Sequence, residues 1–336
     1  MFRFHSSRGN PRNGGCIPAG ALQAQECGRG RRRRGRRLRV QAGAAYELRP
    51  ARPTIASVRL RLYHHPDGAR VAYREFGAGP PLALLHSAML SHKEWEPAVE
   101  QLADRFRVVL PDLPLHGDSE DRPRHPYTLD WFADVISGFA ADVLGPRPLI
   151  GGHDAGAEIL LHAIARGSLH PRRLVLMGSR LHAPPQNARL RAAWRLAAAA
   201  GALPGLDRLL TYGARAAFTP ERGLRLTARS DPAARDLLRH AFADVPGNPS
   251  LARSWARCAR SWPTGPQTQL LELYPRLDMP VLLLWADRDR LHPLAAAEEA
   301  LALLPDGQLR VLQSTGFLIA YDDPVGLARE LAAFCG

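Results

Sequence analysis

The chain has 336 residues, 46% of them hydrophobic, which suits one large α/β domain with an insertion; no stretch approaches the roughly 20 apolar residues of a membrane span. Its net charge of +13 is uneven, because residues 1–57 hold 13 arginines, no lysine and only Glu26 and Glu47, a charge of +11 that leaves +2 for the rest. A basic nucleic-acid-binding body is thereby excluded; only the tail could meet nucleic acid or anionic lipid.

Residues 1–57 read as a disordered leader, with a Gly-interrupted arginine run from Arg29 to Arg39. The plain reading is a solvated extension, although an Arg-rich, acid-poor segment also suits an organelle transit peptide. Cys16, Cys27, Cys258 and Cys335 show no metal-ligand spacing, so they read as free thiols in a reducing, cytoplasmic setting.

From Val58 the pattern becomes that of a folded domain. Residues 58–63 alternate as a strand, Pro66-Asp67-Gly68 turns the chain, and residues 71–76 form the hairpin partner. Leu82–Leu85 is a short continuous apolar run, as in a strand buried on both faces. Residues 94–103 then read as a helix, 106–110 as a strand and 130–144 as a helix with apolar residues at Phe132, Val135, Ile136 and Phe139. The strand 148–150 leads into Gly152-His153-Asp154-Ala155-Gly156 and a helix, and residues 174–177 form the next strand.

Residues 180–277 break this rhythm. They are Ala/Arg/Leu-rich and punctuated by prolines, and they read as an inserted helical lid. The strand 281–285, helix 293–304, strand 309–312 and helix 324–334 complete the chain. Strands alternating with helices imply an α/β fold with a mainly parallel central sheet and helices on both faces. The expected core is thus 58–179 with 278–336.

Gly152–Gly156 carries the most chemistry. A strand, a tight Gly-flanked turn and a helix would put Asp154 at an exposed tip, as in a nucleophile elbow. A carboxylate there can attack carbon and form an ester, or it can simply cap the following helix.

Other motifs stand in order around it: Leu84-Leu85-His86-Ser87-Ala88 after the third strand, Asp112-Leu113-Pro114-Leu115-His116-Gly117-Asp118-Ser119, and Leu284-Trp285-Ala286-Asp287-Arg288-Asp289. Together these resemble the α/β-hydrolase superfamily over residues 58–336. An elbow aspartate is similar to that of epoxide hydrolases and haloalkane dehalogenases. The resemblance implies that Asp154 is the nucleophile and Asp289 the acid that orients a histidine. It implies an oxyanion hole from the amide of Ala155 and one from Ser87 or Ala88. It also implies a base where Phe317 stands, in Gly316-Phe317 before Pro324.

Phenylalanine cannot accept a proton, so three readings stay open. A histidine elsewhere, among His292, His86, His153 and His182, could supply the base, although His86 and His153 match positions that are structural in the family. Asp154 could act as acid or base in a lyase, isomerase or cyclase. The chain could also bind without turnover.

Subclass marks are missing. Ala155 replaces the tryptophan that commonly follows the dehalogenase aspartate, and the loop at His86 lacks the proline of epoxide hydrolases. Tyr212 and Tyr274 are the lid tyrosines, Tyr212 a candidate proton donor. Trp194, Trp255, Trp262 and Phe218 either line an apolar pocket or fill the lid's own core. There is no P-loop, dinucleotide fingerprint or H-E-x-x-H, so neither cofactor nor metal is called for. The expected partner is a small apolar organic molecule, with no oligomeric state implied.

Overall fold

A computed structural model describes residues 59–122, 124–184, 219–229, 231–247 and 249–336, with isolated positions between 192 and 199. The arginine-rich leader, Trp194, Tyr212 and Phe218 lie outside the described residues.

The apolar runs become strands of one sheet. They are β1 (Arg61–His64), β2 (Arg70–Phe76), β3 (Pro81–Leu85), β4 (Arg107–Pro111), β5 (Leu149–His153), β6 (Arg173–Met177), β7 (Val281–Ala286) and β8 (Gly307–Leu312). Their order across the sheet is β1-β2-β4-β3-β5-β6-β7-β8. The β1–β2 hairpin and the β2–β4 pair are antiparallel, and every other pairing is parallel.

Burial on both faces explains why β3 and β7 read as unbroken apolar runs. The two-residue alternation still sorts them, because Leu82 and Leu84 enter one apolar cluster and Ala83 and Leu85 the other. On one face pack α1 (Glu96–Ala103) and α10 (Pro324–Cys335); on the other lie α2 (Leu129–Val143), α3 (Ala155–Ala165) and α8 (Leu294–Leu303). Phe132, Val135, Ile136 and Phe139 of α2 are all buried, each such side chain contributing about 1.5–3 kcal/mol.

Three local features differ from the sequence expectation. The helix expected over 94–103 is a 3₁₀ turn, His92–Trp95, followed by α1. Pro97 sets that break, since it lacks an N–H and fits the first turn of a helix. β5 runs on to His153, because Gly151 and Gly152 pair with both β3 and β6. A short helix, α9 (Ile319–Asp322), occupies the segment after Phe317.

Between β6 and β7 the described residues form α4 (Pro220–Leu224), α5 (Pro232–Gly247), α6 (Pro249–Ser261) and α7 (Gln269–Leu273). Pro220, Pro232 and Pro249 open their helices. α6 is bound to the loop before α2: Ser254 Oγ donates to Asp121 Oδ1 (2.7 Å), Arg257 Nη1 to His125 O (2.8 Å) and Ser261 Oγ to Tyr127 O (2.8 Å). No helix among the described residues is long and apolar enough to cross a membrane.

Candidate active site at the β5–α3 turn

Asp154 sits between the end of β5 and the start of α3 with φ 49° and ψ −112°, a region that costs a non-glycine residue about 1–3 kcal/mol. Its neighbours make the turn feasible. A Cβ on Gly152 would lie 2.5 Å from Gly156 C, and one on Gly156 would lie 2.8 Å from Leu85 Cβ. The Asp154 amide donates to Met177 O and Gly178 O at 3.2 and 3.0 Å, which fixes the turn against β6. The side chain, 21% exposed, projects into a cavity.

The Ala88 amide donates to Asp154 Oδ2 at 3.2 Å. Ala155 is the first residue of α3, so its amide has no intrahelical acceptor. The Ser87 amide is committed elsewhere, donating to Glu94 Oε2 at 2.7 Å. The same carboxylate takes the Ser87 hydroxyl (3.1 Å), and its other oxygen pairs with His153 Nδ1. Buried Glu94 therefore ties the loop after β3 to the end of β5 beside the elbow.

The loop after β7 brings a histidine to the aspartate. His292 Nε2 lies 3.2 Å from Asp154 Oδ1, and His292 Nδ1 lies 2.8 Å from Asp289 Oδ2. Asp289 Oδ1 accepts the amides of Leu291 (2.7 Å) and His292 (3.3 Å), a local turn that holds carboxylate and imidazole on one short loop. Asp287 is separate, accepting the Thr315 amide at 3.0 Å.

Burial works against charge on His292, but hydrogen bonds to Asp154 and Asp289 outweigh it and raise its pKa to about 9. Burial likewise pushes the Asp154 carboxyl up, and the His292 hydrogen bond and the nearby positive charge hold it well below the usual carboxylate range. Asp289 is lowered in the same way, burial again being overcome by His292. At neutral pH the arrangement is an imidazolium between two carboxylates.

The cavity holds about 500 Å³, within the usual range for small-molecule sites. Leu113, Phe132, Ile159, Trp255, Trp262 and Leu291 make it largely apolar. One wall is ionic. Arg180 Nε and Nη2 meet Glu158 Oε1 and Oε2 at 2.8 and 2.6 Å, and Trp262 Nε1 donates to Glu158 Oε2 at 2.8 Å.

The other residues singled out from the sequence divide clearly. Trp255 and Trp262 line the cavity, while Phe317 does not. His86 is fully buried, its Nδ1 donating to Ser87 O (2.8 Å) and its Nε2 accepting the Leu113 amide (2.9 Å). His153 is also fully buried and lies behind the turn, 6.2 Å ring to ring from His292. Tyr274 is buried beside His182, away from the cavity.

Sequence reasoning did not single out Glu158, Arg180 or the cavity position of His116. Glu158 was detectable in principle, since it follows Asp154 by one helical turn and shares its face. Arg180 gives no such local signal, because it reaches Glu158 only through the β5–β6 pairing.

The tight turn at Asp154, the acid and histidine aligned on it and a largely apolar cavity lie together at the ends of the parallel strands of an α/β sheet. Comparison with known proteins gives the family. The description of the α/β hydrolase fold matches residues 80–324, and the chain belongs to that family. It is 27% identical over 292 residues to an uncharacterized protein of Mycobacterium tuberculosis, covering 82% of this chain and 81% of that one. It is 26% identical over 268 residues to a pimeloyl-[acyl-carrier protein] methyl ester esterase of Vibrio vulnificus, covering 77% of this chain and 96% of that one. Among solved structures, an α/β hydrolase fold protein from Burkholderia ambifaria aligns with a TM-score of 0.67 at 23% identity, over 81% of this chain and 97% of that one. By resemblance the chain is an α/β-fold hydrolase.

Proposed function

We propose that this protein is a cofactor-independent hydrolase that opens an epoxide on a small apolar molecule, with Asp154 as nucleophile, His292 as acid and then base, and Asp289 as its orienting partner. The observation that carries this reading is His292 Nε2, 3.2 Å from Asp154 Oδ1 with Asp289 behind it. Within the insertion expected over 180–277, α6 and the residues that follow it serve as a cap over the cavity. Trp255 and Trp262 from that segment supply its apolar wall.

The chemistry follows from the charges. Carboxylate attack on an ester carbonyl would give an anhydride, whereas attack on an sp³ carbon gives a stable ester. Asp154 Oδ1 attacks the epoxide carbon, the C–O bond breaks, and the leaving oxygen takes the proton of the His292 imidazolium. His292 is then neutral, and Asp154, now an ester, no longer holds a proton on it. Neutral His292 takes a proton from water, and the hydroxide adds to the Asp154 carboxyl carbon. The oxyanion lies on the oxygen held by the Ala88 amide, with the Ala155 amide beside it. Collapse releases the diol and restores carboxylate and imidazolium.

A halide would leave without needing a proton, and the His292 imidazolium would then have no part in the first step. Trp262 Nε1, a natural halide donor, is already engaged by Glu158. Both points favour an oxygen leaving group.

The test is one turnover in H₂¹⁸O with excess enzyme and a panel of aryl and alkyl epoxides. The expected result is ¹⁸O in the Asp154 peptide and unlabelled diol in the first turnover. Label in the first diol with none in Asp154 would overturn the covalent route in favour of direct water attack. No diol from any epoxide would overturn the substrate class.

A further inference from the structure

Phe317 is 8% exposed, does not line the cavity, and touches the catalytic histidine instead. Its ring stacks on His292 at 5.8 Å with an interplanar angle of 30°, and lies 4.7 Å from His153 at 39°. The two nitrogens of His292 are bonded at the ring edge, which leaves its face to the Phe317 ring.

The loop that carries Phe317 is in turn tied to the inserted helical segment. The Phe317 amide donates to Leu226 O at 2.8 Å. Asp322, fully buried, accepts the Gly316 amide at 2.8 Å and the amides of Ala228 and Arg229 at 2.8 and 3.1 Å. A Cβ on Gly316 would lie 2.5 Å from Leu226 O, so the two segments touch backbone to backbone. Phe317, Leu318 and Tyr321 also share an apolar cluster with Leu224, Leu237 and Leu238 of the insertion. Leu226 itself forms part of the cavity wall.

We infer that Phe317 is a positioning residue for His292, and that the Asp322 clamp couples residues 226–229 to it, so that the cavity wall and the base are set in place together. A buried carboxylate spread over three amides from two chain segments is a rigid link. Losing one acceptor oxygen strands an amide that has no other partner, which costs more than the bond itself contributes. Misplacing a catalytic group by about 1 Å can cost on the order of 10²-fold in rate.

The test uses Phe317→Leu, Phe317→Tyr and Asp322→Asn, with two readouts. The first needs no substrate: the His292 Nδ1–H signal in ¹⁵N-histidine protein, assigned by its loss in His292→Gln. Phe317→Leu and Asp322→Asn are expected to shift or broaden it, and Phe317→Tyr, which keeps the ring, to restore it. The second readout rests on the reading of Asp154 as nucleophile. Formation and hydrolysis of the Asp154 ester should both slow, by roughly tenfold or more, because His292 serves as acid in the first step and base in the second.

If Phe317→Leu is poorly folded by near-UV circular dichroism, Phe317→Met takes its place. A His292 signal unchanged in both Phe317→Leu and Asp322→Asn overturns the inference. A shifted signal with no ester from any epoxide supports the positioning role and overturns only the epoxide reading.

Discussion

The loops after β7 and β8 divide the work in an instructive way. The β7 loop carries both Asp289 and His292, three residues apart, whose carboxylate and imidazole meet at 2.8 Å. The β8 loop carries Phe317, which packs on that imidazole and offers no proton acceptor. An acid and its histidine on one loop have a short closure and keep their geometry through a local turn. The imidazole is then held through one loop alone, and the Phe317 ring of the other loop packs against it without a covalent or hydrogen-bonded link.

The comparison can be broken at several points. The largest effect is expected from Asp154→Asn, which should lower epoxide turnover by at least about 10⁴-fold and abolish any adduct in intact-mass spectra. Retained turnover would remove Asp154 from the chemistry.

Asp289→Asn should cost about 10²–10⁴-fold in kcat, because the amide cannot hold the imidazolium or fix its tautomer. Steady-state kinetics check this, and a loss below tenfold would mean that the β7 loop does not need its acid.

A stability effect comes next. Glu158→Gln leaves the Arg180 guanidinium buried without its carboxylate, and breaking such a pair costs about 3–5 kcal/mol. Urea unfolding should show that loss, while Glu158→Gln combined with Arg180→Met should recover most of it.

The smallest effect concerns pH. The pKa of His292 is raised from 6.5 to about 9, so the imidazolium needed for ring opening persists through neutral pH. kcat/KM should be flat from about pH 7 to 8 and fall above about 9, and in Asp289→Asn the fall should move to lower pH. The same linkage acts on stability. The contribution of the His292 contacts is complete below 6.5 and is lost as pH rises through about 9. Asp154 and Asp289 are both lowered from 3.8, so theirs is complete above that value and is lost on further acidification.

Much of this molecule was legible in its sequence. Continuous apolar runs marked the parallel strands, alternation marked the β1–β2 hairpin, and the spacing of Phe132, Val135, Ile136 and Phe139 marked the buried face of α2. The glycines at 152 and 156 pointed to a turn so tight that neither position has room for a Cβ.

The histidine that meets Asp154 was harder to read, for a physical reason. Position along the chain points to 317, whereas the distance from the β7 loop to the elbow is set by the β5-β6-β7 order of the sheet. His292 could be named only as one of four candidates. The Asp322 clamp was invisible for the same reason, since its amide partners come from chain segments about 90 residues apart. Tyr212, the candidate proton donor, lies outside the described residues, and in the proposed cycle the His292 imidazolium supplies that proton.

The most direct measurement of the central claim is intact and peptide mass analysis of His292→Gln after exposure to the epoxide panel. The account predicts an adduct of substrate mass on the peptide containing Asp154, formed more slowly than in wild type because ring opening has lost its acid, but persistent once formed and absent from Asp154→Asn. Undiminished diol formation by His292→Gln with no adduct would contradict it.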